Sequence, residues 1–76
     1  MHSTHLAILA SAYNVCGPRS GVPATPSAVL GMTDWETLHG YARDYCGHVR
    51  RDPDAIFSES QVSEAACALE RANAGE

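Results

Sequence analysis

The stretch Thr33–Val49, T-D-W-E-T-L-H-G-Y-A-R-D-Y-C-G-H-V, constrains the fold more than any other part of the chain. It opens with T-x-x-E, Thr33 to Glu36, a pattern in which each side chain satisfies a backbone N–H at a helix start. Asp34 and Glu36 suit the positive end of a helix dipole, and Arg50 and Arg51 suit the negative end. On a helical wheel, Trp35, Leu38, Ala42, Tyr45, Cys46 and Val49 share one arc. Tyr41 and His39 fall at its edges, and Asp44 and His48 form an i, i+4 pair outside it. The pattern predicts a helix whose Trp35–Leu38–Val49 stripe is core. Gly40 and Gly47 are its weak points, each costing about 1 kcal/mol against Ala. They lie within about 20° of each other on the polar flank. They read either as a shallow groove that admits a second backbone or as softness in the last turn.

Breakers on both sides make this helix one of three. Gly17-Pro18 ends a segment that begins at Ser3, with Ser3 as its cap and Gly17 in the left-handed conformation that often follows a helix. In that segment Leu6, Leu9, Ala10, Tyr13 and Cys16 share a face, whereas Ile8 and Val15 lie opposite. A helix apolar on two sides either packs between two neighbours or offers one side to a partner, and the second reading exposes Ile8 and Val15. Residues 17–27 hold two Gly, three Pro and three Ser or Thr, which makes them a loop. Thr25-Pro26 suits the start of one further turn, Pro26–Leu30, stopped by Gly31. Asp52-Pro53 breaks the chain again, with a short turn to Ile56. Ser58 and Gln61 then form a second capping box, and Phe57 is placed to staple onto Val62. The last helix runs to about Asn73. Its inner face, Val62, Ala65, Ala66, Leu69 and Ala72, is small where that of the central helix is bulky, so the two pack closely. The expected fold is all-α, a single small domain over 1–76. It is a small three-helix bundle with one or two additional short helical turns.

Composition limits the partners. The formal net charge is −4, and all five basic residues are Arg, a usage typical of GC-rich genomes. An acidic balance weighs against non-specific nucleic-acid binding, which depends on neutralising phosphate. Three widely spaced Cys do not form a disulfide framework and suit a reducing cytoplasm. Leu6–Ala12 resembles the apolar part of a signal peptide but has no Lys or Arg before it. No run approaches the roughly 18 apolar residues that a membrane span needs. A cytoplasmic protein without membrane insertion is therefore expected.

No constellation reads as a catalytic or cofactor site. His39, Cys46 and His48 are zinc-ligand types. His39 and Cys46, however, stand about 10 Å apart along a helix, and His48 points nearly opposite to Cys46. No metal, no cofactor and no enzymatic activity are expected. G-P-R-S-G at 17–21 lacks the preceding strand and the Lys of a phosphate loop.

Two binding readings remain. In the first the protein binds another protein through aromatic and Arg residues of the kind enriched at interfaces. Its candidates are Tyr41, Tyr45, His48, Arg50 and Arg51 on the central helix, with Ile8 and Val15 on the first. A homodimer is one form of it. Small size, acidity and absence of a motif suit an accessory or inhibitor protein of phage or mobile-element type, for example an anti-defence or anti-CRISPR protein. The alternative is a small helix-turn-helix-like DNA-binding regulator. There T-P-S-A-V at 25–29 opens a recognition helix and Arg43, Arg50 and Arg51 meet phosphate. The charge makes nucleic acid the lesser of the two.

Overall fold

The described residues fold as three α-helices around one apolar core. The structure is a computed structural model and describes residues 2–19 and 21–75. In chain order they are α1 (Ser3–Cys16), a 3₁₀ turn (Val29–Gly31), α2 (Trp35–Arg51) and α3 (Glu59–Ala74). Each α-helix packs on the other two, and α1 also touches the 3₁₀ turn. The all-α expectation is met, and the additional turns fall where Thr25-Pro26 and Asp52-Pro53 place them. The carbonyl of Thr25 accepts from the N–H groups of Ala28 and Val29, and that of Asp52 from the N–H of Ala55.

The helix starts test the capping arguments individually. Ser58 caps α3: its hydroxyl accepts from the Gln61 N–H at 3.1 Å, and the Gln61 side chain accepts from the Ser58 N–H at 2.9 Å. This is the full capping box. At α2 the cap is Asp34, not Thr33. Asp34 Oδ1 accepts from the Thr37 N–H at 2.7 Å, so the helix begins one residue later than the T-x-x-E pattern places it. A carboxylate accepts more strongly than a hydroxyl, and at this end it also gains from the helix dipole. At α1 the cap is His2, not Ser3, with Nδ1 accepting from the Thr4 N–H at 3.1 Å.

The core draws Ile8, Leu9, Ala12 and Tyr13 from α1, Leu38, Ala42 and Val49 from α2, and Val62, Ala65, Ala66 and Leu69 from α3. Among the described residues no polar or charged residue is buried. The bulk that meets the Ala face of α3 therefore comes largely from the aliphatic residues of α1 and α2. The α2 aromatics lie at the periphery, where Tyr41 and Tyr45 are half-buried against the core.

Three expectations are corrected here. Trp35 is not core. With Asp34 as cap it becomes the first residue of α2 and lies 38% exposed, at a surface hollow that Leu30, Leu38 and Ala72 also line. Ala72 is exposed rather than buried, at the surface hollow that Trp35 and Leu38 of α2 also line. Gly17 is extended, at φ −84° and ψ −171°, not left-handed. Its glycine is required by close approach instead. A Cβ there would strike the Tyr13 carbonyl oxygen and lie 3.2 Å from Cε2 of Tyr41.

Candidate functional site

The surface that gathers most of the sequence candidates is built from the last turns of α1 and α2 and the connector 52–58. α1 ends at Cys16 because Gly17 turns extended there, which leaves Val15 beside the last turns of α2. Val15 is half exposed. It lines one hollow with Tyr45, His48, Val49 and Ile56. Ile56 is 88% exposed, more than any other large apolar residue described. The Asp52 turn presents it: Asp52 Oδ1 accepts from the Asp54 N–H at 2.9 Å, which holds the connector tight and the Ile56 side chain outside it.

A second hollow adjoins the first and shares Val15 and His48 with it. It is a shallow saddle over Gly47, flanked by Arg43, Arg50 and Arg51. Positions 43, 47 and 51 are successive turns of one helical face, so Arg43 stands one turn before the glycine and Arg51 one turn after it. Arg51 folds back, its Nη2 3.7 Å from the point a Cβ on Gly47 would occupy.

The three guanidinium groups differ in availability. Arg50 is committed to Glu59 of α3 through two bonds, Nε to Oε2 at 2.6 Å and Nη2 to Oε1 at 2.9 Å. That fork holds the Glu59 carboxyl below its usual range. Arg43 and Arg51 form no ion pair among the described residues. Two cysteines border the saddle. Burial pushes the Cys16 thiol up, helped by the charge of Asp44. Burial also pushes up the Cys46 thiol, with Glu59 adding to it and Arg50 and Arg43 opposing. Thiols raised this way stay protonated and are poor nucleophiles.

The candidates from sequence thus divide. Val15, Tyr45, His48, Arg50 and Arg51 come together on this surface. Ile8 does not: it is 1% exposed, because α1 packs against both α2 and α3 there, whereas Val15, two turns further along the same face, stays half exposed. Tyr41 sits apart, half-buried and packed edge-on against Tyr13 with ring centroids 5.8 Å apart. Ile56 was missed as a candidate. Its signal was an aliphatic residue within D-P-D-A-I-F, where no helical phase carries it into the core.

The remaining histidines serve the fold. His5 Nε2 lies 3.8 Å from Glu64 and His39 Nε2 lies 3.3 Å from Glu70, so α1 and α2 each reach α3 through one such contact. His39, Cys46 and His48 do not converge, and the described residues hold no cluster of three metal-ligand side chains. After Thr25-Pro26 only turns and the 3₁₀ segment form, so no α-helix occupies the place of a recognition helix. No helix among the described residues is long and apolar enough to cross a membrane. No protein-family model, curated protein or solved structure matches the chain.

Proposed function

We propose that the protein acts by binding another protein through the Val15–Tyr45–Ile56 surface, as a small accessory or inhibitor of the kind phages and mobile elements encode. An anti-defence protein, such as an anti-CRISPR, is the concrete form of this reading. The observation that carries it is the exposure of Val15 and Ile56 around one hollow beside a half-buried Tyr. Burying an aliphatic side chain of this size is worth about 1.5–3 kcal/mol. Leaving two of them in water on one face is a standing gain for whatever covers them.

The test is site-specific photo-crosslinking in the source cells. A photoreactive residue at Ile56 should yield one dominant protein adduct, lost when Val15→Asp is added. The same group at Ser63, exposed on α3, should yield none. Equal adduct patterns from the two positions, or a dominant adduct at a single-chain doubling of mass, would replace this reading with non-specific contact or a homodimer respectively.

A further inference from the structure

The apolar hollow carries charge of one sign. Val15, Val49 and Ile56 make it aliphatic, the Tyr45 ring lies beside them, and its two carboxylates are Asp52 and Asp54. No Arg or Lys lines it. We infer that this hollow takes an arginine-bearing, basic segment of a protein partner: an apolar anchor seats against Val15 and Ile56, and guanidinium groups meet Asp52 and Asp54. The inference rests on the protein-binding reading and specifies the partner's chemistry.

Charge complementarity carries it. Both carboxylates are exposed, and among the described residues neither forms an ion pair. Asp52 uses Oδ1 to hold its turn through the Asp54 N–H. α2 keeps its own cations off this side. At about 100° per residue, Tyr45, His48 and Val49 point one way, Arg43 and Arg50 point nearly opposite, and Arg51 lies about 110° round from them. Arg50 is held by Glu59, and Arg51 folds over Gly47 on the saddle.

The sign holds over a wider radius. Where hollow and saddle meet at Val15 and His48, Asp44, Asp52 and Asp54 stand against the unpaired Arg43 and Arg51. The local excess is negative, as is the formal net charge of −4. Charges within the Debye length of about 8–10 Å act together, so a cationic segment is drawn here and an acidic one opposed. Arginine matches the lining as well as the charge. Its methylene stem covers aliphatic surface while its head stays in water. Its planar fork fits a carboxylate, and it stacks on rings such as that of Tyr45.

The experiment is an amide chemical-shift titration with three dodecapeptides that share a central Leu-Phe, flanked by Arg, by Gln or by Glu. The Arg peptide should shift Val15, Tyr45, Val49 and residues 54–57, and bind more weakly as salt is raised. It should exceed the Gln peptide about fivefold, the combined effect of two exposed ion pairs. Asp52→Asn with Asp54→Asn should erase that margin, while the Asn side chain at 52 keeps an acceptor for the turn. Glu36→Gln, which removes an exposed carboxylate at the other end of α2, should preserve it. Equal binding of the Arg and Gln peptides, tightest binding of the Glu peptide, or a margin that survives the double variant would overturn the inference and leave the protein-binding surface standing. No shift with the Arg peptide at millimolar concentration overturns it too, while the Ile56 cross-link decides the wider reading independently. Shifts at this surface that grow with protein concentration alone assign the hollow to a second copy of the chain and overturn both.

Discussion

The two connectors of this bundle have opposite characters. The long one, 17–34, looks like a slack loop by composition, yet it inserts Ala24 and Val29 into the core. It is tied down by a side chain. Asn14 Nδ2 donates to the Ala24 carbonyl at 3.0 Å, and the Ala24 N–H donates to Asn14 Oδ1 at 2.7 Å. The amide thus pairs with Ala24 as a strand neighbour would, satisfying both of its backbone groups. The short connector, 52–58, rests Ala55 and Phe57 against the core yet leaves Ile56 between them almost wholly in water. A connector's length therefore says little about whether it belongs to the core. What decides is whether its backbone polar groups find partners close to apolar surface, because an unpaired buried amide costs about 1–3 kcal/mol.

The largest test of this contrast is a pair of truncations. Val29 is fully buried, so Val29→Ala should cost about 2 kcal/mol through lost burial and the cavity left behind. In a domain of this size that lowers the melting temperature by about 10 °C. Ile56→Ala should fall within about 0.5 kcal/mol of the parent in urea unfolding. Similar losses from both would show that Ile56 is also part of the core, and the proposed surface would lose its main residue.

Next in size is Gly17→Ala, at the start of the long connector. The new methyl meets the Tyr13 carbonyl, which is backbone and cannot swing aside, as well as the Tyr41 ring. Overpacking of this kind costs about 1–3 kcal/mol. Gly40→Ala is the control of opposite sign. Nothing lies within 4 Å of a Cβ there, and replacing an interior helix glycine should stabilise by about 1 kcal/mol. A destabilised Gly40→Ala would mean that the outer face of α2 is covered, which would restore the groove reading of its glycines.

What could be read in advance follows from the range of the interactions involved. The α3 capping box is local: Ser58 and Gln61 are three residues apart, and the pattern alone specifies it. The start of α2 was ambiguous because Thr33 and Asp34 are both good caps, and one residue of difference moved Trp35 from the core to the rim. Ile8 was misassigned because a helix that is apolar on two sides has the same wheel whether it is sandwiched or exposed; only the positions of α2 and α3 decide. The Asn14–Ala24 clamp was invisible for the same reason, since an Asn near a helix end ordinarily suggests a local turn. The site was partly legible because Tyr45, His48, Arg50 and Arg51 lie on one helix. Val15 came to them from another helix and Ile56 from a connector.

The clamp itself gives the third test. Asn14→Ala removes a donor and an acceptor together and leaves both Ala24 backbone groups unpaired, so it should cost about 1–2 kcal/mol. Asn14→Asp keeps the acceptor for the Ala24 N–H but sets a carboxylate against the Ala24 carbonyl. It should be at least as damaging at neutral pH and recover partly in acid, when a protonated carboxyl donates again. Hydrogen exchange at the Ala24 N–H reports the bond directly and should accelerate in both variants. Unchanged exchange would mean that Val29 alone holds the long connector in place.

The smallest effect separates the two connectors by how each hands over to its helix. The long one ends at Asp34, whose carboxyl is lowered by hydrogen bonds from Thr37. The short one ends just before Glu59, whose carboxyl is lowered mainly by its bonds with the Arg50 guanidinium. Both groups bind a proton less readily folded than unfolded. Their contribution is therefore full above the ordinary carboxylate range of about 4 and is lost as the pH falls through the lowered folded values. The melting temperature should decline from pH 5 to pH 3, and both Asp34→Asn and Glu59→Gln should flatten that decline. Asn is itself a good cap, so Asp34→Asn should leave stability at pH 7 nearly unchanged. Salt then tells the two apart. Raising it to 1 M shortens the Debye length to about 3 Å. The exposed Arg50–Glu59 share of the acid limb should shrink, while the Asp34 share, a short bond to backbone, should persist. If salt erased the whole limb, the Asp34 cap would be acting through long-range charge rather than through its hydrogen bond to Thr37.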